Sequence, residues 1–435
     1  MAKKQRTFIP AALGGPCSVH GLFNKFCTIS QKELYAVELQ LGSNHPLSGY
    51  LGGVHSGGYW VENLESKWCE IFGCKYAVAV NSATSGLLCA AASIDLKSGE
   101  EFICSPFTMS ATAAAPAILG AKPVFCDIES LHFCLDPGKW CDMDSSQSVK
   151  AVILTNLFGH PGGLAISRKK ADSLGIFLIE DNAQAPFAME GEKFAGTIGH
   201  IGVFSLNVHK HIQCGEGGIC VTDDQALYQR MREFRNHGEM FENGRIGLNL
   251  RMTETTAAIA ACQLGRAKQI ITNRIEQANF FVKSLEDIPG IIPPTVRETC
   301  KHVWYAIPIR YDEKLIGISR QRFMNYLHRE FVNYLDKPNP IQQGYVQPLY
   351  HLPAFKDRPH LCPVAEDAYH KSLIYFENCT YTLTLQQMGQ IGRAFAKIAC
   401  AAVDGEFDVD TERAADIGRD SVGASAEQQE LDGYS

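Results

Sequence analysis

The stretch Phe177-Leu178-Ile179-Glu180-Asp181-Asn182-Ala183-Gln184 starts apolar and ends on two adjacent carboxylates. Its apolar part does not alternate with polar residues, so a strand here is expected to be covered on both faces. Similar runs recur at 76–80, 101–104, 123–127, 151–154, 202–206 and 218–222, with helix-like stretches such as the small-residue segment 85–93 among them. That alternation predicts an α/β fold with a mostly parallel central sheet flanked by helices. Ligands of such sheets sit beyond the carboxyl ends of the strands. The residues that follow each run are therefore where chemistry is to be sought.

Working outward, a long helical stretch is expected over 253–287, broken by Ile288-Pro289-Gly290. Beyond it come a strand at 303–310, a helix at 319–334, a Pro-rich connection at 337–355 and a last helix at 385–403, which together predict a smaller α+β domain. From Asp404 onward ten acidic residues face only Arg413 and Arg419, which reads as a disordered acidic tail. The 435 residues carry a net charge of −7. With no basic cluster, binding to nucleic acid or an anionic membrane through a charge field is not expected. No apolar run is long enough for a spanning helix, and the start lacks a signal-like apolar stretch, so a cytoplasmic location is the expectation. The sixteen cysteines show no Cys-x-x-Cys pair. They read as reduced core residues, and no metal site is expected.

Three segments carry chemistry. In Ser205-Leu206-Asn207-Val208-His209-Lys210-His211-Ile212-Gln213-Cys214-Gly215-Glu216-Gly217-Gly218, one lysine sits between an apolar strand and a glycine-rich turn. A lysine there is either solvated on a surface loop or committed to a Schiff base with an aldehyde cofactor. Asp181, at its strand end, is either a helix N-cap or the partner of a pyridine nitrogen, holding it protonated as an electron sink. Gln184, three positions on, could hydrogen-bond the ring's phenolic oxygen. Asn81-Ser82-Ala83-Thr84-Ser85-Gly86 offers hydroxyls and backbone N–H groups at a helix start, as an ordinary cap or as a phosphate site. The order of phosphate turn, Asp-x-x-Gln and lysine favours pyridoxal 5'-phosphate over coincidence. No Gly-x-x-x-x-Gly-Lys-Ser/Thr loop competes.

The chain resembles the DegT/StrS-type sugar aminotransferases, within the fold type I pyridoxal phosphate enzymes. The resemblance rests on the three segments above, on Pro106-Phe107-Thr108-Met109-Ser110-Ala111-Thr112 and on Gly120-Ala121-Lys122-Pro123-Val124-Phe125-Cys126-Asp127-Ile128. It extends to Gly247-Leu248-Asn249-Leu250-Arg251-Met252-Thr253-Glu254 and Gln347-Pro348-Leu349-Tyr350-His351. It implies an N-terminal segment (1–30), a large cofactor-binding domain (31–270), a small C-terminal domain (271–403) and the tail (404–435). Lys210 would be the Schiff-base lysine, Asp181 the partner of the ring nitrogen and Gln184 that of the ring oxygen. Thr84, Ser85 and Ser205 would hold the phosphate, and Asn249 would reach the phosphate of the neighbouring subunit's cofactor in a homodimer with shared sites. Met109 stands where the family usually stacks an aromatic residue on the ring, and Phe107 is the aromatic nearest in sequence. Ala83 replaces the usual glycine of the phosphate turn. His209 and His211 flank the lysine.

The implied reaction moves an amino group from L-glutamate to a keto sugar. The expected acceptor is a nucleotide-linked 4-keto-6-deoxyhexose, as in perosamine synthases, for polysaccharide or glycoconjugate biosynthesis. Two alternatives stay open. One is a pyridoxal phosphate-dependent sugar dehydratase, in which a histidine replaces the lysine. The other is a non-catalytic homologue with a binding or regulatory role.

Overall fold

The computed structural model describes residues 8–21, 23–49, 57–142, 148–238, 246–332, 339–356 and 362–407. Most of the expected acidic tail, from residue 408 onward, lies outside them. So do residues 239–245.

The apolar runs form one seven-stranded sheet: β1 (Tyr76–Val80), β2 (Glu101–Cys104), β3 (Lys122–Phe125), β4 (Val149–Thr155), β5 (Phe177–Asp181), β6 (Ile201–Ser205) and β7 (Gly218–Thr222). Their order is β1-β7-β6-β5-β4-β2-β3. The neighbours from β6 through β3 run parallel, while β7 is antiparallel to both β6 and β1. Strand β6 is buried at every position, as an unalternating run requires when both faces are covered. On one face lie α3 (Ala83–Ser93) and α4 (Ala111–Ile118), and on the other α5 (Leu164–Leu174) packs on β4 and β5.

Helix α2 (Tyr59–Phe72) closes the β1 edge of the second face. Its Trp68 stacks on Phe72 at 4.9 Å and meets Phe204 of β6 edge-on at 5.1 Å. Burying rings of this size stabilises the sheet by about 2–3 kcal/mol each. The acidic Glu65 is buried on the same helix, where Arg235 Nη1 at 2.7 Å and the Ala79 N–H at 2.7 Å both donate to it. That tie joins α2, β1 and α6 (Gln225–Arg235). Glu180 and Asp181 point to opposite faces of β5, as successive strand residues must. Glu180 accepts from the N–H groups of Gly196, Ile198 and Gly199 and from Asn156 Nδ2, so it is a structural carboxylate.

Helix α7 (Glu254–Lys283) is the expected long helix, starting where Thr253 caps the Thr256 N–H. It packs first on α1 (Gln31–Gly42) and α2, then on α10 (Leu385–Val403). Beyond it, β8 (Ile291–Ile292), β9 (Ile307–Tyr311), β10 (Ile341–Gln343) and β11 (Leu373–Phe376) form an antiparallel sheet in the order β8-β9-β11-β10. Phe281, Phe323, Phe376 and Phe395 fill its core. The strand expected at 303–310 begins only at Ile307, because Trp304 takes a left-handed backbone (φ 54). Asn378 Nδ2, donating to the Trp304 carbonyl, holds that break. The helix expected over 319–334 ends at Arg329, as α8 (Arg320–Arg329), and the Pro-rich 337–355 contains β10.

Candidate active site

A cleft of about 360 Å³ opens over the carboxyl ends of β4, β5 and β6. Asp181 ends β5, Thr155 ends β4 and Ser205 ends β6, and all three line it. Thr84, Met109, Gln184, His209 and Lys210 line it too. Ser85 and Asn249 do not. Ser85 lies in the first turn of α3, its hydroxyl accepting from that of Ser82 at 3.1 Å, and Asn249 is exposed on this chain, bridging Asn236.

Lys210 is 8% exposed. Its ammonium lies 4.4 Å above the Tyr305 ring and makes no hydrogen bond among the described residues. Burial pushes its pKa down to about 8, against the pull of the Asp181 carboxylate and of Cys379. Asp181 is 5% exposed, and burial raises its carboxyl pKa. Opposing that rise, Thr112 Oγ1 donates to its Oδ2 at 2.7 Å and the Ala183 N–H donates to its Oδ1 at 3.2 Å. A chain of hydroxyls continues from Thr112 through Thr108 to Thr155 at 3.2 Å each. A buried anion and a buried amine thus share one pocket, and each is disfavoured in its charged form until a ligand answers it.

The corner where a phosphate is expected is shaped by Gly218. Its strand pairs Gly218 with Val80 on one side and with Ser205 on the other. A Cβ there would lie 2.7 Å from the Ala83 nitrogen, so only glycine lets the start of α3 approach β7. The Ser82 hydroxyl accepts from the Ser85 N–H and caps that helix. Its first turn, with Thr84, therefore turns backbone N–H groups and the positive end of the helix toward the cleft.

Gln184 is held rather than free: its Oε1 accepts from the Phe158 N–H at 2.8 Å and its Nε2 donates to the Tyr345 hydroxyl at 2.7 Å. Phe158 and Tyr345 both have left-handed backbones (φ 58 and 61), conformations that cost of order 1 kcal/mol or more and collect at functional sites. Phe107 is not available for ring stacking. It is fully buried with its edge against Tyr345 at 6.1 Å, whereas Met109, 60% exposed, lies on the cleft wall. The two histidines part company. His209 is exposed at the mouth, and His211 is buried with Nε2 donating to the Val303 carbonyl at 2.7 Å. Sequence reading missed Tyr305, Thr155, Asn207 and Glu216, which also line the cleft. Thr155 follows an apolar run and could have been found by the strand-end rule. Tyr305 is brought in from the second sheet's approach segment, and no local signal announces it.

A larger open groove of about 810 Å³ lies near the opposite ends of the strands, beside His200 and Thr222. Its Arg168 is already committed to Asp172 and to the carbonyls of Ile198 and Gly199. Of these two, the 360 Å³ cleft is the one that holds a buried amine with no hydrogen bond among the described residues.

Burial holds His160 and His211 neutral, with pKa values pushed down to about 3, while an unfolded histidine titrates near 6.5. Below pH 6.5 the unfolded chain binds protons that the folded chain refuses, so this contribution to stability is lost as pH falls. Between pH 7.5 and pH 5 it amounts to about 2 kcal/mol per histidine. The stability gap between the natural chain and His211→Gln, measured by urea unfolding, is expected to shrink by that amount over this interval. A gap independent of pH contradicts it.

A sequence model of the DegT/DnrJ/EryC1/StrS aminotransferase family matches residues 51–390. The spore coat polysaccharide biosynthesis protein SpsC of Bacillus subtilis (strain 168) is 30% identical over 322 residues, covering 71% of this chain and 82% of that protein. Among solved structures, DesI in the presence of its TDP-sugar product superposes with a TM-score of 0.77 at 26% identity, over 94% of this chain and 98% of its own. The GDP-4-keto-6-deoxymannose-3-dehydratase with a trapped PLP-glutamate geminal diamine shares the fold, with a TM-score of 0.74 at 22% identity over 86% and 100% of the two chains.

Proposed function

The chain belongs to the DegT/DnrJ/EryC1/StrS aminotransferase family and has the fold type I architecture, and on that premise we propose that it transfers an amino group from L-glutamate to a nucleotide-linked keto sugar, a 4-keto-6-deoxyhexose. The observation that carries the reading is the buried Lys210 amine sharing one strand-end cleft with the buried Asp181 carboxylate. Those residues fit pyridoxal phosphate: a primary amine with a lowered pKa, a carboxylate for a cationic ring, and a helix start for a phosphate. When bound, that cofactor supplies an aldehyde for amines to condense with and a ring that stores the electron pair of a broken C–H bond.

The chain's own residues do the rest. Lys210, with a pKa lowered to about 8, has a proton to give and a lone pair to take one back, as a base and then an acid must. Asp181, fixed by Thr112 and by the Ala183 N–H, keeps negative charge where a ring nitrogen would sit. Thr84, Ser85 and Ser205 are proposed phosphate ligands, with Ser85 contributing through the capped helix start. Gln184 is proposed to face the ring oxygen with Tyr345 behind it, and Met109 to cover one ring face through soft sulfur contact. Asn249, exposed and away from this chain's own cleft, suits the proposed homodimer in which it serves the partner's site. The division into a cofactor-binding body (31–270) and a smaller body (271–403) belongs to the same proposal. So does a role in polysaccharide biosynthesis, which the likeness to SpsC supports. Lys210 rather than His211 lines the cleft, and this favours amino transfer over the dehydratase reading.

The test is chemical. The cofactor-loaded protein given L-glutamate alone is expected to release one equivalent of 2-oxoglutarate per site. Release becomes continuous when a nucleotide-linked 4-keto-6-deoxyhexose is added. No 2-oxoglutarate in either case overturns the proposal.

A further inference from the structure

Outside the lining of the Lys210 cleft, two imidazoles converge on one carboxylate. His351 Nε2 lies 2.8 Å from Glu366 Oε1, and His370 Nε2 lies 3.3 Å from Glu366 Oε2. The ligand atoms of all three residues fall within 4.8 Å of one another. We propose that His351, Glu366 and His370 bind one divalent transition-metal ion of the zinc class. Two imidazole nitrogens and one carboxylate oxygen select such an ion over calcium or magnesium, which prefer all-oxygen sets. Ligands of tetrahedral zinc sit roughly 3.3 Å apart, given bonds of about 2.0–2.1 Å. The three side chains therefore reach that geometry with small torsional shifts, leaving a fourth position for water.

The frame that carries them is anchored from behind. Glu366 lies in α9 (Pro363–Asp367), and the Val364 and Ala365 N–H groups donate to Asp127, at 3.1 and 3.0 Å. Lys139 Nζ also donates to the Oδ2 of that aspartate, at 2.9 Å. Tyr350, 1% exposed, packs edge-on against the His351 ring with centroids 4.9 Å apart, which helps hold that imidazole in place. Glu366 and His370 stand four residues apart on one face, while His351 comes from the short turn Leu349–His351, whose Leu349 N–H donates to the Pro106 carbonyl. A bound ion would tie that turn to α9, and through Pro106 to the segment that leads to Thr108 and Met109 at the cleft. The proposal stands independently of the reaction proposed above.

The experiment uses the full-length, cofactor-loaded protein, stripped with chelator and titrated with Zn²⁺ alone by calorimetry. One saturable equivalent is expected, and His351→Ala and His370→Ala should each weaken it at least tenfold. His20→Ala, at an exposed histidine elsewhere, should leave it unchanged. Co²⁺ bound to the natural chain should show the intense visible absorption of a tetrahedral nitrogen–oxygen site, a readout that does not depend on the variants folding. No saturable binding, affinity equal in the natural chain and both variants, or weak octahedral cobalt absorption overturns it.

Discussion

Lys210→Ala is expected to lower amino transfer by about 10²- to 10⁴-fold, the range for a positioned acid–base group, or by more because a second role goes with it. Two roles disappear together, since the same amine is proposed both to anchor the cofactor and to shuttle the proton. The covalent role has its own readout: borohydride reduction of the loaded natural protein should label the peptide that contains Lys210, and the variant should show no label. Stability should move the other way. Burial holds the folded lysine near pH 8 against 10.5 for a free one, so below pH 8 the cofactor-free fold carries a proton it disfavours. That penalty fades as pH rises from 8 to 10.5, and alanine removes it. The cofactor-free variant should therefore be no less stable than the natural chain at pH 7. A variant that keeps full turnover, or a reduction label on another lysine, removes Lys210 from the mechanism.

Asp181→Asn should lower amino transfer by about 10²- to 10³-fold, or roughly 3–4 kcal/mol of barrier, while the cofactor still attaches at Lys210. Asparagine nearly preserves shape and can still accept the Thr112 hydroxyl bond, but it carries no charge to hold a ring nitrogen cationic. A second consequence separates charge loss from mere misfolding. The Asp181 carboxylate raises the Lys210 pKa through space, so its removal should shift the pH dependence of cofactor attachment toward lower pH. Thr112→Val, which keeps the charge and loses one hydrogen bond to it, should give a smaller loss and a smaller shift. Unchanged rate and unchanged pH profile in Asp181→Asn would place the carboxylate outside the chemistry.

The parts of this molecule that were legible in the sequence are those whose cause is local. Apolar runs such as 76–80 and 218–222 need burial on both faces, and they are strands with those bounds. Thr253 and Thr384 cap the helices that follow them, and both helices start there. The strand-end rule brought Asp181, Ser205 and the loop of Lys210 to one edge. What stayed hidden depends on contacts between distant segments. Trp304, Phe158 and Tyr345 hold left-handed backbones that no propensity favours for aromatic residues, and they hold them because Asn378, Gln184 and the packed cleft wall secure them. Tyr305 reaches the lysine only through that geometry. The short strand Ile341–Gln343 is invisible in a Pro-rich stretch because its pairing partner, Leu373–Phe376, lies some thirty residues on. His209 and His211 could not be told apart by composition, since only the buried Val303 carbonyl draws one of them inward.

The placement of β7 between β1 and β6 also has a temporal side. The ribosome finishes Tyr76-Ala77-Val78-Ala79-Val80 about 140 residues before it delivers Gly218-Ile219-Cys220-Val221-Thr222, the strand that hydrogen-bonds to it. At about 5–20 residues per second, that apolar ribbon waits roughly 7–28 s with its backbone unpaired along the side β7 will fill. Until β7 arrives, that edge offers unpaired N–H and C=O groups to any other strand it meets, which is the hazard an open strand edge carries.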